Sequence, residues 1–273
     1  MPPRLSVSVS CALPYLRTLL CYGLAVLPLP GADLAPGIAL FTTVSGEVRL
    51  TTGSDAPQTV ALHSARPLAG TTIATGTDSH CGLALSNGVG LFLGPGTSIA
   101  IADFSQRPFA ASENSLHYEP SVSRLQIQLL EGSLALAADR LSPLSEVTVG
   151  LRSGTVRTHS ARAGFSVRKD ALALAAYSGN LTLTVSDADR HFIVGGEGLR
   201  FLFGAGGETI RSESISAQDL TVPISDLVDA ASHASRRVLY RVNDSSPTIP
   251  QPVPARPEAS FQQPSPRPYR FLD

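Results

Sequence analysis

The chain has 273 residues with 21 basic and 22 acidic side chains, a net charge of −1 at pH 7, and 43% hydrophobic against 16% charged residues. That balance suits a protein that buries a core and gives no electrostatic footprint for nucleic acid. With no tryptophan and 6% aromatic residues, there is little material for a stacking platform that would hold bases or sugars.

The first 35 residues differ in character from the rest. Arg4 and Arg17 precede the apolar run LLCYGLAVLPLP at 19–30, and GADLA follows. A basic flank, a short apolar run and small residues beyond it form the pattern of a secretory signal peptide; the run is too short and too proline-broken for a good membrane span. The expectation is a signal peptide over 1–35, with a retained N-terminal anchor as the alternative. Cys11 and Cys21 fall in this segment, so Cys81 is the only cysteine of the exported chain and no intrachain disulfide can form there.

From residue 38 to about 210, short stretches of period-two alternation are broken by Gly, Ser, Asn and Pro. They include EVRLT at 47–51, GLALS at 82–86, GLFLG at 90–94, TSIAIA at 97–102, RLQIQL at 124–129, SLALA at 133–137 and LTLTV at 181–185. Such spacing predicts an all-β fold over 36–215, a sandwich or roll of short antiparallel strands. Alternation puts Leu83 with Leu85, Leu91 with Leu93, and Ile99 with Ile101 on core-facing sides. Asn87-Gly88 between two alternating runs is a hairpin signal, and GPG at 94–96 is a second turn. Residues 103–123, with two prolines and no periodicity, form an insertion that is a candidate contact surface.

Within 216–244 the period changes. Ile224, Leu227, Val228, Ala231, Val238 and Val242 fall near one helical face, with Ser225 as a cap, Asp226 and Asp229 early, and Arg236, Arg237 and Arg241 late. This predicts one amphipathic helix whose charges match its dipole. The final stretch, 245–273, carries eight prolines in 29 residues and is expected to be a disordered, polyproline-like tail.

The residues offer little to catalysis. His63, His80, His117, His159, His191 and His233 have none of the paired spacings of a zinc site. There is no nucleophile elbow and no phosphate-binding glycine loop followed by Lys-Ser/Thr. SDADR at 186–190 reads as a hairpin tip and VGGEG at 194–198 as a turn. His80 and Cys81 stand side by side, yet neighbours in a strand point to opposite faces; Cys81 shares the parity of Leu83 and Leu85 and reads as a small buried thiol. The expectation is a non-enzyme with no catalytic residues, no cofactor and no metal.

The order of these segments resembles the FecR domain of bacterial envelope regulators and other exported proteins. The resemblance runs through VSGEVRL (44–50) and LAGTTIATGTDSHCGLALSNGVGLFLGPGTSIAI (68–101), where Gly70, Ile73, Thr75, Gly76, Ser79, Asn87 and Gly88 occupy the family's positions. It continues through LLEGSLALAADRLSPLSEVTV (129–149), FSV (165–167), YSGNLTL (177–183) and VGGEG (194–198). The chain departs from the pattern in LRSGTVRTHSARAGFSV: Gly154 and Phe165 fit, while Ala161, Arg162 and Ala163 stand where the family has Arg-Gly-Thr. Only 18 residues precede the apolar run, too few for the cytoplasmic sigma-binding region of FecR-type regulators.

The resemblance implies the exported domain without the regulator's cytoplasmic half. The expected function is a periplasmic or secreted binding or structural module that contacts an envelope protein or extracellular ligand. No nucleic acid is expected as a partner, and a membrane only if the N-terminal segment is retained. The alternative is a periplasmic sensor component of transmembrane signalling. The residues of interest are structural, at turns: Gly46, Gly70, Thr75, Gly76, Asn87, Gly88, Gly132 and Gly179, where positive φ or close packing excludes larger side chains.

Overall fold

The computed structural model describes residues 34–109, 119, 121–152, 154–169, 171–185, 190–194, 198–203, 209–215, 224–243, 246–255 and 268–269. Residues 1–33 of the expected signal segment, 186–189 of the SDADR tip and the centre of VGGEG lie outside them; Ala35, at the end of the expected signal segment, is in a strand. Among the described residues, no helix is long and apolar enough to cross a membrane.

Among the described residues the chain is all-β with one helix. Its first half holds β1 (Ala35–Pro36), β2 (Ile38–Ser45), β3 (Val48–Thr52), β4 (Gln58–Thr59), β5 (Ala65–Pro67), β6 (Thr71–Thr75), β7 (His80–Leu85), β8 (Gly90–Leu93) and β9 (Ser98–Gln106). There follow β10 (Ser123–Ala138), β11 (Glu146–Leu151), β12 (Gly154–Thr158), β13 (Ala161–Val167), β14 (Ala171–Gly179), β15 (Leu181–Val185), β16 (Arg190–Val194), β17 (Gly198–Phe203) and β18 (Thr209–Ile215). The C-terminal part holds α1 (Ile224–Arg236), β19 (Val238–Arg241), β20 (Gln251–Pro254) and β21 (Pro268–Tyr269).

Pairing builds two sheets that share β10. Sheet A runs β4-β3-β6-β9-β10-β11-β12-β15-β16, with β1 also on β9. Sheet B runs β5-β2-β7-β8-β10-β13-β14-β17-β18. All of these pairs are antiparallel except β10 with β11. RLQIQL and SLALA, which read as two strands, are the two halves of β10: the first lies in sheet A, the second in sheet B. The join is an irregular stretch between Leu129 and Glu131 followed by Gly132, where the strand bends and the side-chain alternation changes phase.

The core lies between the sheets. Sheet A turns inward Val48, Leu50, Ile73, Ile99, Ile101, Leu125, Ile127, Val147, Val149, Val156 and Leu183; sheet B contributes Phe41, Leu83, Leu85, Leu91, Leu93, Leu134, Leu136, Phe165, Leu172 and Leu174. Cys81 belongs to the same cluster, fully buried, as its parity required, and burial pushes its thiol up to about 12. Gly154 and Phe165, the two positions that fit the family's pattern, open β12 and fill the core respectively.

Sheet B is buried on its other side as well. A second cluster joins Phe92, Ala135, Ala137 and Ala175 to Val228 and Ala231 of α1; a third joins Leu40, Ala84 and Phe109 to Val238, Tyr240 and Val242. The outward positions beneath the helix are small because its backbone comes close: a Cβ on Gly90 would sit 2.0 Å from the Ala231 carbonyl oxygen. Hence β7 and β8 read GLALS and GLFL, large side chains toward the core and mostly small ones toward the helix.

Three expectations are corrected here. The helix stops at Arg236; Val238 and Val242, which also fit a helical face, instead lie in or just beyond β19, where Val238, Tyr240 and Val242 alternate inward. Ser225 lies within the first turn, its hydroxyl directed at the Asp226 carboxylate, and does not stand ahead of the helix as a cap. The tail is not disordered throughout: β20 and β21 flank β19 in a three-stranded sheet. Proline argues against a strand because it lacks an N–H, but an edge strand needs donors on one side only.

Candidate functional site

Apart from Asn87 and Gly88, which join two strands of sheet B, the turn residues sit where the chain passes between the sheets. Gly46 joins β2 to β3, Gly70 joins β5 to β6, Gly132 marks the bend of β10, and Gly179 joins β14 to β15; all four have positive φ. Gly179 is the tightest of them, since a Cβ there would sit 2.1 Å from the Ser160 carbonyl oxygen; at Gly132 it would come within 2.5 Å of the Thr97 Cα. Gly76, between β6 and β7, has no positive φ; a Cβ there would press on the Ser79 hydroxyl at 3.0 Å.

Hydroxyls tie these corners together. The Thr75 Oγ1 donates to the Gly94 carbonyl at 2.7 Å and accepts from the Thr97 N–H at 2.9 Å. Thr97 Oγ1 in turn donates to the Ser133 carbonyl and accepts the Ser133 N–H. Ser79 Oγ accepts the Glu47 N–H at 2.7 Å. Since each bond satisfies a backbone group at a corner, these side chains hold the corners in place.

Asn87-Gly88 differs in detail from the sequence reading. Only Gly88 has positive φ, at 84°; its N–H bonds the Leu85 carbonyl, and the Leu85 N–H bonds Val89. This is a turn closed by a left-handed glycine bulge rather than one with two left-handed residues. Asn87 is thereby turned inward and is 1% exposed, with Nδ2 donating to Ser123 Oγ at 3.0 Å and Oδ1 accepting the Val89 N–H.

Asn87 belongs to a buried polar cluster that sequence reasoning missed. Ser86 Oγ donates to Gln106 Oε1, Gln106 Nε2 donates to Ser121 Oγ, and the Ser123 N–H donates to Ser145 Oγ. Glu119 completes it at 4% exposed: its Oε2 accepts the Ser142 N–H at 3.1 Å and the Ser145 hydroxyl, while its Oε1 is buried with no hydrogen-bond partner. Desolvation outweighs these bonds and raises the Glu119 carboxyl to about 7. The described ends of the 103–123 insertion are therefore packed, not an open contact surface: 103–106 continue β9, Phe109 is fully buried beside Thr248, and Glu119, Ser121 and Ser123 are interior. The one sequence signal was the density of Ser, Gln and Glu in an aperiodic stretch.

The four histidines whose side chains are described do not converge. His80 stacks on Phe92 with ring centroids 5.5 Å apart, away from the core face that holds Cys81. His159 Nδ1 meets the Ser145 carbonyl at 2.8 Å, His63 lies in a turn with φ 61°, and His233 lies in the last turn of α1. Among the described residues, no group of three His, Cys, Asp or Glu side chains is placed to hold a metal. Arg162 of the departing Ala161-Arg162-Ala163 segment forms a forked ion pair with Asp139, while both alanines are buried.

Among the described residues, the outer face of sheet A is the open one. Register aligns Thr51, Thr72, Ala100, Gln128, Gly150, Thr155 and Thr184 across it in one row. Asp103, Gln126, Thr148, Arg157 and Thr182 form a second row. Every one of these positions is exposed or half-buried, alternating with buried apolar neighbours, and the described helix and third sheet pack against sheet B. Charges on the face are balanced, with Arg157 paired to Glu146 at 3.1 Å and Arg49 to Glu47.

No protein-family model and no curated protein matches the chain. Two crystal structures, each described as a "putative anti-sigma factor" from Parabacteroides distasonis ATCC 8503, are similar to it. One has 15% identity and a TM-score of 0.39, with 55% of this chain and 62% of that chain covered. The other has 14% identity and a TM-score of 0.41, with 62% of this chain and 66% of that chain covered. This chain thus spans less than two thirds of either solved chain.

Proposed function

We propose that the chain is a non-enzymatic, FecR-like binding module of the cell envelope, periplasmic or secreted, which contacts an envelope protein through the outer face of sheet A. The observation that carries this reading is the contrast between the two outer faces. Sheet B is capped by α1 and β19, with small residues fitted under the helix, whereas sheet A presents a broad face of Thr, Gln and Arg. A polar face short of aromatic residues suits a protein partner whose own backbone and polar side chains can meet it, better than a stacked sugar or base. The test is the double variant Gln126→Arg, Thr148→Arg, which places two bulky charges at neighbouring points of the face. The expected result is an unchanged melting midpoint with loss of the envelope protein that copurifies with the natural chain. Retention of that protein by the double variant would count against the reading.

A second reading, a sensor component of transmembrane signalling, is favoured by the resemblance to FecR-type regulators and by the apolar run at 19–30. N-terminal sequencing of the protein from fractionated native cells separates the two. A mature start between about residues 31 and 37 in a soluble fraction supports the exported module. An intact N-terminus in the membrane fraction supports the sensor.

A further inference from the structure

The tail carries proline at every second position twice: Pro250, Pro252 and Pro254, then Pro264, Pro266 and Pro268. In an antiparallel strand, successive residues direct their N–H and C=O groups to opposite edges, so a strand with alternating prolines keeps its donors on one edge and has none on the other. The first repeat shows which edge is used. The Ala255 N–H donates to the Arg237 carbonyl at 2.9 Å, which makes 255 and 237 a bonded pair. By alternation Val253 with Leu239 and Gln251 with Arg241 are bonded pairs too, while Pro254 and Pro252, opposite Val238 and Tyr240, turn their nitrogens away from β19.

The same parity applies on the other side of β19. Tyr240 directs its backbone groups away from β20, toward β21, where it pairs with Tyr269; Pro268 lies opposite Arg241, at a position that calls for no donor. β21 therefore meets β19 with its donor-bearing edge, and Pro268, the last proline of the second repeat, stands where no donor is needed. The geometry points to the β21-side edge of β19 as an acceptor for an extended peptide with proline at every second position, occupied by the chain's own C-terminal segment.

The connection permits this. Twelve residues, 256–267, separate Ala255 from Pro268. At about 3.1 Å per residue a chain of that length can reach at most roughly 40 Å, whereas crossing from one side of β19 to the other takes about 10 Å. A covalent link of that length sets the segment's effective concentration at the site in the millimolar range.

The test uses a fluorescent peptide of residues 262–273 with three proteins: the intact chain, a chain ending at Ala255, and the full-length variant Tyr269→Pro. Tyr269→Pro removes the donor that faces β19 and leaves the chain otherwise complete, so it serves even if the shortened chain fails to fold. The expected result is saturable binding to both altered proteins, at least about tenfold tighter than to the intact chain, whose tethered segment competes. A peptide carrying Tyr269→Pro should lose binding at least about tenfold, and one carrying Arg270→Pro should keep it, because in a strand the position after a bonded residue calls for no donor toward the same partner. Absence of binding to both altered proteins, equal affinity for the intact chain, or equal effects of the two peptide prolines would overturn the proposal. So would an intact chain that is dimeric until the tail is removed, since the occupant would then come from a second copy.

Discussion

Glu119 gives a stability curve that runs opposite to the usual carboxylate. In the folded chain its carboxyl is raised from 4.5 to about 7 by burial, against the bonds from Ser123, Ser145 and Ser142. Between those values the folded state holds a proton that the unfolded chain has released. The group's contribution to stability is fully present below about pH 4.5 and is lost as pH rises through 7. At about 1.4 kcal/mol per unit, the loss is about 3 kcal/mol. Glu119→Gln keeps the shape, keeps an oxygen for the Ser142 N–H and the Ser145 hydroxyl, and does not ionise. The two proteins should be of similar stability at pH 5, and the variant about 3 kcal/mol more stable at pH 8, which for a chain of this size is roughly 6–12 °C in melting midpoint. Urea unfolding at the two pH values measures the difference directly. A wild type that equals or exceeds the variant at pH 8, or a gap that does not change with pH, refutes the reasoning.

Other perturbations read the corners and caps. Gly88→Val puts a β-branched side chain at φ 84° and should lower stability by more than about 1 kcal/mol in urea unfolding. Gly90→Ala sets a Cβ against the Ala231 carbonyl and should cost about 1–3 kcal/mol, with faster hydrogen exchange in α1 than in β10. Tyr240→Phe leaves the buried Leu85 carbonyl without its 3.1 Å hydroxyl donor and should cost about 1 kcal/mol. Cys81 should react with a water-soluble thiol reagent only at the rate of unfolding, because the thiol is buried and its pKa is raised to about 12; prompt stoichiometric labelling of the native protein would contradict the placement.

Period-two alternation was enough to read the all-β class and the inward set, since Leu83, Leu85, Ile99 and Ile101 all face the core. Alternation reports burial on one face, however, and is silent about what covers the other. The alanines and glycines between the leucines of β7, β8 and β10 carried that second message, and their smallness makes sense only with α1 laid over them. VLYRV at 238–242 satisfies both a helical face and a strand, and its packing against Leu40 and Ala84 settles it as a strand. The Glu119 cluster gave no periodic signal because its members come from a turn, an aperiodic insertion and two strand ends that meet only in the fold. Proline counted against order in the tail until its alternating placement was matched to one edge of β19.

The central claim, that this chain binds a protein through the outer face of sheet A, is tested most directly by site-specific photocrosslinking in native cells. A photoreactive residue at Gln126 or Thr148, on sheet A, is compared with one at Asp229 on the exposed side of α1. The account predicts one discrete adduct, with the same envelope protein, from both sheet A positions and none from Asp229. An adduct from Asp229 alone, or none from either sheet A position, would contradict it.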